Sequence, residues 1–500
     1  MKKFLSLLLA AMMLLSMTSF AAAEEPFVLT VMLPDFYTDY DFNTTDNPVL
    51  DAIEAATGVR LDVQFVANSA YGDQTSYTLA DPANMPMVMA LTGARDPIVI
   101  TSAQAGAFWD ITDMIKDYPN LAAGSQGIYD NISVDGRLYG IYRARQQVRG
   151  GIYYRSDIAA AQGITEEPQT IEDLTKLAYA LLEHCKTTEA DDYVLNMVKY
   201  VAGTIGIATV SHGAPFNWGV NEAGEIYPAH QSPAYREGLK WLRDLYAAGG
   251  IDPDFMNVES GEWDKIERNG LAFMRFDCMD NTYRQQEWFE KNEGITDIIW
   301  AMIPGVKDDD GVMKLWPQNA GYSGEIVITK AVKEADLPKV LSFLDWCNTA
   351  EGQTLLNCGL EGVTYWIYDD GYMYTTPATG EDVATQIHTI QGSLNQLGMN
   401  VMGSLTPTVA QTALRKEYAG YYTAEYTNLI VNDPCHALTS ETNIMMGTTL
   451  SQMLEDAHVQ YIAGIIDDAG LEAVYEEWAA LGGDAMTAEY TAAYQAAQAK

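Results

Sequence analysis

Two short β-patterned runs flank one capped helix near the start of the chain, and this arrangement restricts the fold more than any other feature. The first run, Phe27-Val-Leu-Thr-Val-Met-Leu33, is apolar and β-rich. Asn47-Pro48 reads as an N-cap followed by proline at the first helical position, where a missing amide costs nothing. Val49, Leu50 and Ile53 fall on one helical face, Gly58 supplies the left-handed stop, and Val59, Leu61, Val63 and Phe65 alternate as a strand should. Strand, helix and strand within about 40 residues make a βαβ unit, which implies parallel strands. An α/β fold is therefore expected.

Farther along, Asp96-Pro-Ile-Val-Ile-Thr-Ser102 reads as the next strand, with a helix from Ala103 to Phe108. The segment before it, Tyr71 to Met89, is rich in Met, Pro and Asn and carries no clear period. Leu138-Tyr-Gly-Ile-Tyr142 and Gly151-Ile-Tyr-Tyr154 read as two more strands that bracket Arg143, Arg145 and Arg149. Helices are expected from Ile171 to Glu183 and behind an Asp336 cap, with Leu337, Val340, Leu341 and Leu344 as the apolar face. Leu471, Val474, Tyr475, Trp478 and Leu481 keep helical spacing until Gly482-Gly483 breaks it. The 500 residues exceed what one core usually holds, and no repeat or Pro/Gly/Ser linker divides them. Two lobes are expected, with the backbone crossing between them more than once.

Lys2 and Lys3, the apolar stretch Phe4 to Leu15 and Ala21-Ala22-Ala23 have the pattern of a secretory signal peptide over residues 1–23. No later run reaches the roughly 18 apolar residues of a spanning helix. The first cysteine is Cys185, so a lipidated cysteine just behind the signal is not expected. The exported chain is expected to be soluble, outside the cell or in its envelope. With 68 acidic against 29 basic residues, a net charge of −39, its surface repels nucleic acid and anionic lipid. Five cysteines contain no CxxC pair. Cys347 and Cys358 are close enough for a small bridge, although buried free thiols are the commoner outcome.

Catalytic patterns are scarce. HExxH, GxSxG, GxGxxG after a strand and GxxxxGK[ST] are all missing, and the six histidines form no pair at i,i+3 or i,i+4. Asp308-Asp-Asp-Gly311 and Asp369-Asp-Gly371 resemble pieces of calcium loops without the remaining ligands and read as polar turns. No metal or cofactor is expected. A glycoside hydrolase needs only two suitably spaced carboxylates and stays open as the rival to a binding protein. The stronger signal is aromatic: 30 Tyr and 10 Trp, many beside loops, as in Phe36-Tyr37, Phe216-Asn217-Trp218 and Asn319-Ala-Gly-Tyr322. Sugar rings pack flat C–H faces on aromatic rings and present hydroxyls to planar polar side chains. Ligands of open α/β sheets bind beyond the carboxyl ends of strands.

Several stretches, in order, resemble the extracellular solute-binding proteins of family 1, substrate-binding components of carbohydrate ABC importers, and within it a lipoprotein-like Gram-positive branch. They are Gly106-Ala-Phe-Trp-Asp-Ile-Thr-Asp113, Val134-Asp-Gly-Arg-Leu-Tyr-Gly140, Gly151-Ile-Tyr-Tyr-Arg-Ser-Asp157, Gly270-Leu-Ala-Phe-Met274 and Asn348-Thr-Ala-Glu-Gly-Gln-Thr-Leu-Leu-Asn357, with Trp478, Leu481, Tyr490 and Tyr494 at the end. The resemblance implies a type 2 periplasmic-binding-protein-like fold, two α/β lobes on a multi-strand hinge. Lobe one is expected at 24–142 plus 323–399, and lobe two at 143–322 plus 400–500. It also implies a monomer that binds an oligosaccharide and hands it to membrane permease subunits, without catalysis. A peptide or other polar solute is the alternative ligand. Within the cleft, Tyr37 and Trp218 are expected to stack on sugar, and Arg275 and Asp277 to bind hydroxyls just beyond the strand Leu271–Met274. The strand-end argument adds Thr101, Tyr142, Arg143 and Tyr322. Arg143 and Arg275 would alternatively hold the carboxylate of an acidic sugar.

Overall fold

The computed structural model describes residues 26–498, apart from 37–39, 94, 189, 318, 400–408 and 410–411. The βαβ unit forms as the sequence predicts. Strand β1 (Phe27–Asp35) runs parallel to β2 (Val59–Ala67), and the helix Pro48–Thr57 joins them. Asn47 Oδ1 accepts from the amides of Val49 and Leu50, and Gly58 ends the helix at φ 69°.

Three further strands complete the first sheet: β3 (Val88–Leu91), β4 (Gly140–Ala144) and β11 (Tyr322–Ile328), in the order β2-β1-β3-β11-β4. Strand β11 is antiparallel to both β3 and β4. The third strand is not where the sequence predicts it. Residues 97–104 form the helix Pro97–Gln104, and the strand is Val88-Met-Ala-Leu91, which overlaps the end of the stretch that showed no period, while the helix Asn68–Ala80 overlaps its start. All four β3 side chains are buried, so the alternation that betrays a half-exposed strand is missing. Pro97, read as part of a strand, instead occupies the first helical turn, where its fixed φ is favourable. Asp336 also departs from expectation: it lies in a helical conformation and makes no side-chain cap bond.

A second sheet is built from β5 (Gly150–Arg155), β6 (Tyr193–Leu195), β9 (Ala272–Cys278) and β10 (Trp300–Ile303) in the order β10-β5-β9-β6, and β7 (Trp218–Val220) pairs only with β8 (Ile226–Pro228) among the described strands. Each sheet has its own apolar core. Leu29, Val31, Ile53, Ile326 and Leu344 belong to the first, and Ile152, Leu177, Leu242, Phe276 and Ile303 to the second. The chain passes between sheets from β4 to β5 and again between β10 and β11, and Met399 packs in the first core whereas Leu414 packs with Tyr153 and Met302 of the second sheet. Three passages make a multi-strand hinge between two lobes. The C-terminal helices Glu441–Ile462 and Asp468–Trp478 lay Ala457, Tyr461, Leu471 and Tyr475 on the second core. The kink between Trp478 and the last helix, Asp484–Gln498, is taken up by Gly482 at φ 143°. Cys347 and Cys358 are both free thiols.

Candidate functional site

A cavity of about 640 Å³ is set mainly in the second lobe, with Arg95 and Ile100 of the first lobe in its wall. Its wall comes from sequence-distant pieces: the helix Ala202–Ser211, the loop Pro215–Trp218, the segment Asp433–Asn443, the helix Glu441–Ile462 and three residues of the C-terminal region, Trp478, Met486 and Tyr490.

Aromatic rings dominate this wall. Trp218 packs edge-on against Tyr490 at 5.1 Å and lies 6.5 Å from Trp478; Phe216 meets Trp316 edge-on at 6.4 Å. Asn217, between them, takes φ 53°, which turns its side chain to donate to Asp433 at 3.0 Å. Positive φ is uncommon outside glycine, and asparagine tolerates it best. The polar groups are mostly held neutral. Burial pushes His230 down to about 4, His436 down to about 4 and His458 down to about 3, so all three imidazoles are uncharged at neutral pH. Burial pushes the Asp433 carboxyl up to about 6, against the opposing bond from Asn217.

Two contacts tie the lobes across the cavity mouth. The Tyr322 hydroxyl of β11 lies 2.8 Å from His436 Nε2. Arg95 donates to Ser133 O at 2.7 Å in its own lobe and to Leu438 O at 3.0 Å in the other. Near them Glu325 on β11 is fully buried, its Oε2 has no hydrogen-bond partner among the described residues, and burial raises its carboxyl to about 8. That value exceeds the ordinary 4.5, so the folded state holds a proton that the unfolded state releases between 4.5 and 8. Stability from this group is complete below 4.5 and lost as pH rises to 8. The thermal midpoint of the natural chain should therefore fall relative to that of Glu325→Gln between about pH 5 and pH 8. Parallel melting profiles for the two proteins would mean that Glu325 ionises without penalty.

The structure brings together only some of the residues singled out by sequence. Trp218 lines the cavity, and Tyr322 reaches its wall through His436. Tyr37 lies outside the described residues. Thr101 is an exposed helical residue whose hydroxyl bonds back to Pro97 O at 2.8 Å, because the supposed strand is a helix. Tyr142 is buried in the first core and accepts from Ser125 N at 2.8 Å. Arg143 is buried on β4 and reaches Ser323 O at 3.4 Å. Arg275 and Asp277 are bound to one another at 3.0 Å, and Arg275 also meets Asp264 at 3.3 Å and Glu267 at 3.4 Å beneath the Trp263 ring. Strand β9 extends to Cys278, so these two lie inside it and are paired to each other rather than lining the cavity.

Sequence reasoning missed Arg95, His230, His436, Asp433 and Trp316. The available signal is Trp478, whose spacing reads as a helical face, and Tyr490, which enters only through the family resemblance. Asp308 and Asp370, from the calcium-loop fragments, accept from backbone amides of their own turns. No cluster of three or more His, Cys, Asp or Glu suited to a metal, and no helix long and apolar enough to cross a membrane, occurs among the described residues.

Comparison with known proteins places this geometry among relatives. Residues 40–354 match the family described as bacterial extracellular solute-binding protein. The chain is 29% identical to Lipoprotein LipO of Bacillus subtilis, with 99% of each covered. It is 25% identical to the polygalacturonan/rhamnogalacturonan-binding protein YtcQ of the same organism, over 89% of this chain and 88% of that one. Among solved structures, the N-glycan transport solute binding protein NgtS of Streptococcus pneumoniae superposes with a TM-score of 0.67 at 16% identity, covering 94% of this chain and 98% of the other.

Proposed function

Because this chain belongs to the bacterial extracellular solute-binding protein family, we propose that it captures an oligosaccharide between its two lobes and delivers it, chemically unchanged, to an ABC permease. The observation that carries this reading is the 640 Å³ cavity at the lobe junction, walled by Phe216, Trp218, Trp316, Trp478 and Tyr490 with uncharged imidazoles among them. That volume lies within the range of small-molecule sites. Aromatic faces with neutral hydrogen-bonding groups suit a ligand that is half apolar ring and half hydroxyl. The ligands in the names of YtcQ and NgtS, polygalacturonan/rhamnogalacturonan and N-glycan, support the same class.

In this reading the protein is a secreted monomer, exported by the signal over residues 1–23. Lobe one covers about 24–142 with 323–399, and its first sheet takes in Arg143, Ala144 and Tyr322 as strand ends. Tyr37, Trp218 and Tyr322 contact sugar. Closure is a hinge motion, favoured by ligand touching both lobes.

A thermal-shift screen against mono- and oligosaccharides tests the proposal, because a ligand that binds only the folded state raises the midpoint by mass action. The best ligand should be recovered intact after incubation. Shortened products that vanish in Asp433→Asn or Glu455→Gln, the cavity carboxylates, would replace binding with hydrolysis. For that ligand, Trp218→Ala should weaken binding by about 1–3 kcal/mol, roughly 5- to 150-fold in Kd. Unchanged affinity in a folded variant would remove Trp218 from the site.

A further inference from the structure

Lobe one holds a second cavity, of about 260 Å³, which shares no lining residue with the one at the lobe junction. It lies beyond the carboxyl end of β1. That strand ends at Asp35, whose Oδ1 accepts from Ser393 Oγ at 2.8 Å, and Gly392 and Asn395, which flank Ser393, line the cavity. Ligands of open α/β sheets bind in this position. Two helices contribute to the wall, Ala350–Asn357 through Leu356 and Asn357, and Ala384–Gln391 through Ile387 and Gln391.

Gln391 is 6% exposed, and its Nε2 donates to Leu355 O at 2.8 Å and to Leu356 O at 2.6 Å. Turning the amide over would set Oε1 against those two carbonyl oxygens, so the positions of its donor and acceptor are fixed. Oε1 is buried and has no hydrogen-bond partner among the described residues. The Thr364 hydroxyl in the same wall cannot serve, because it donates to Cys358 O at 2.6 Å and accepts from Leu360 N at 2.7 Å. At Gly359, φ 78°, any Cβ would strike both Gln391 Oε1 and Thr364 Oγ1, so glycine keeps the acceptor uncovered. A buried acceptor left unmet is costly, and the partner that relieves it is a donor.

The rest of the wall narrows the chemistry. Among the described residues no Lys or Arg lines this cavity, and Asp382 is its one carboxylate, exposed and accepting from Ala384 N at 3.1 Å. An anion would find no counter-charge there, and a cation no buried one. At about 30 Å³ per water the volume equals roughly nine waters, room for a single six-membered ring bearing hydroxyls. We propose that this cavity is a second ligand site, separate from the lobe junction, which takes a compact uncharged cyclic polyol with one hydroxyl donating to Gln391 Oε1. The site goes beyond the capture proposed at the junction and does not depend on it.

The test is calorimetric titration of the full-length chain with myo-inositol, a neutral ring of hydroxyls, and with quinate, a ring polyol that carries a carboxylate. One myo-inositol should bind per chain, at least about tenfold more tightly than quinate. Gln391→Met, which keeps the volume and withdraws the acceptor, should weaken that binding at least about tenfold. Ile387→Trp, which fills the cavity from its helix, should abolish it, with circular dichroism showing that each variant is folded. Because Ile387→Trp leaves Gln391 in place, it keeps the test available should Gln391→Met fail to fold. No binding of myo-inositol at about 10 mM would overturn the site. Quinate bound as tightly would overturn the assignment of an uncharged ligand, and unchanged affinity in a folded Gln391→Met would overturn the role of Gln391. Binding that survives in a folded Ile387→Trp would overturn the second site, and its loss in Trp218→Ala would place the polyol at the lobe junction instead.

Discussion

Arg275→Met should lower the unfolding free energy by about 3–5 kcal/mol, the range for removing one partner of a buried ion pair. Arg275 is 3% exposed on β9 and lies between the rings of Trp263 and Tyr153, at 4.3 and 5.5 Å. It faces Glu267 and Asp277, both buried. Burial raises the Glu267 carboxyl, with Asp264 adding a smaller push in the same direction, and Arg275 opposes that shift first, helped by bonds from Asn196 and Tyr153. Methionine fills much of the volume and withdraws the charge, leaving two carboxylates to ionise in a dry site. The loss should be largest at neutral pH and shrink on acidification, as protonation of Glu267, whose carboxyl burial already raises, relieves the uncompensated charge. Urea denaturation at two pH values reads both effects. A loss under about 1 kcal/mol at neutral pH would mean that Glu267 and Asp277 are satisfied without the arginine.

The second large effect is expected at Trp316, which belongs to the second core and to the cavity wall. Its indole rests on Gly150 and Gly206, where any Cβ would collide with it, so the backbone approaches the ring as no other residue would permit. Trp316→Ala should cost about 3–5 kcal/mol as a core cavity, because neighbours held by a strand and a helix collapse only partly. It should also remove ligand binding, since the floor beneath Phe216 would be lost. Trp316→Phe should recover most of the stability and less of the affinity. Denaturation without ligand and titration with the best oligosaccharide separate the two contributions. Full stability in Trp316→Ala would show that the packing over the two glycines is dispensable.

Much of the architecture is written locally. Asn47, Pro48 and Gly58 specify a helix by capping chemistry that acts within four residues, and Val59 to Phe65 show their strand by alternation. The family resemblance follows from short ordered stretches and needs no geometry. Strand β3 was illegible for the opposite reason: Val88 to Leu91 is buried on both faces, and a buried strand carries no period. Asp96 to Ser102 misled because β-branched residues next to a proline fit either a strand or a first helical turn, and local propensity yields to tertiary packing.

The candidate site was legible only where an aromatic sat in a polar loop, as at Trp218. Arg275 and Asp277 are residues of the chemically right type whose charges are spent on each other, which becomes visible only when β9 meets the helix Trp263–Arg268. Conversely, His230, His436 and Trp478 are unremarkable in sequence and become a wall because the C-terminal helices fold back about 200 residues onto the second lobe. By itself, then, the sequence determined the α/β character, the first βαβ unit and the family, since these depend on capping, period and short motifs. Which charges are paired and which are left bare, and which rings share one cavity, only the tertiary structure decided, because pairing and enclosure depend on what distant segments bring within a few ångströms.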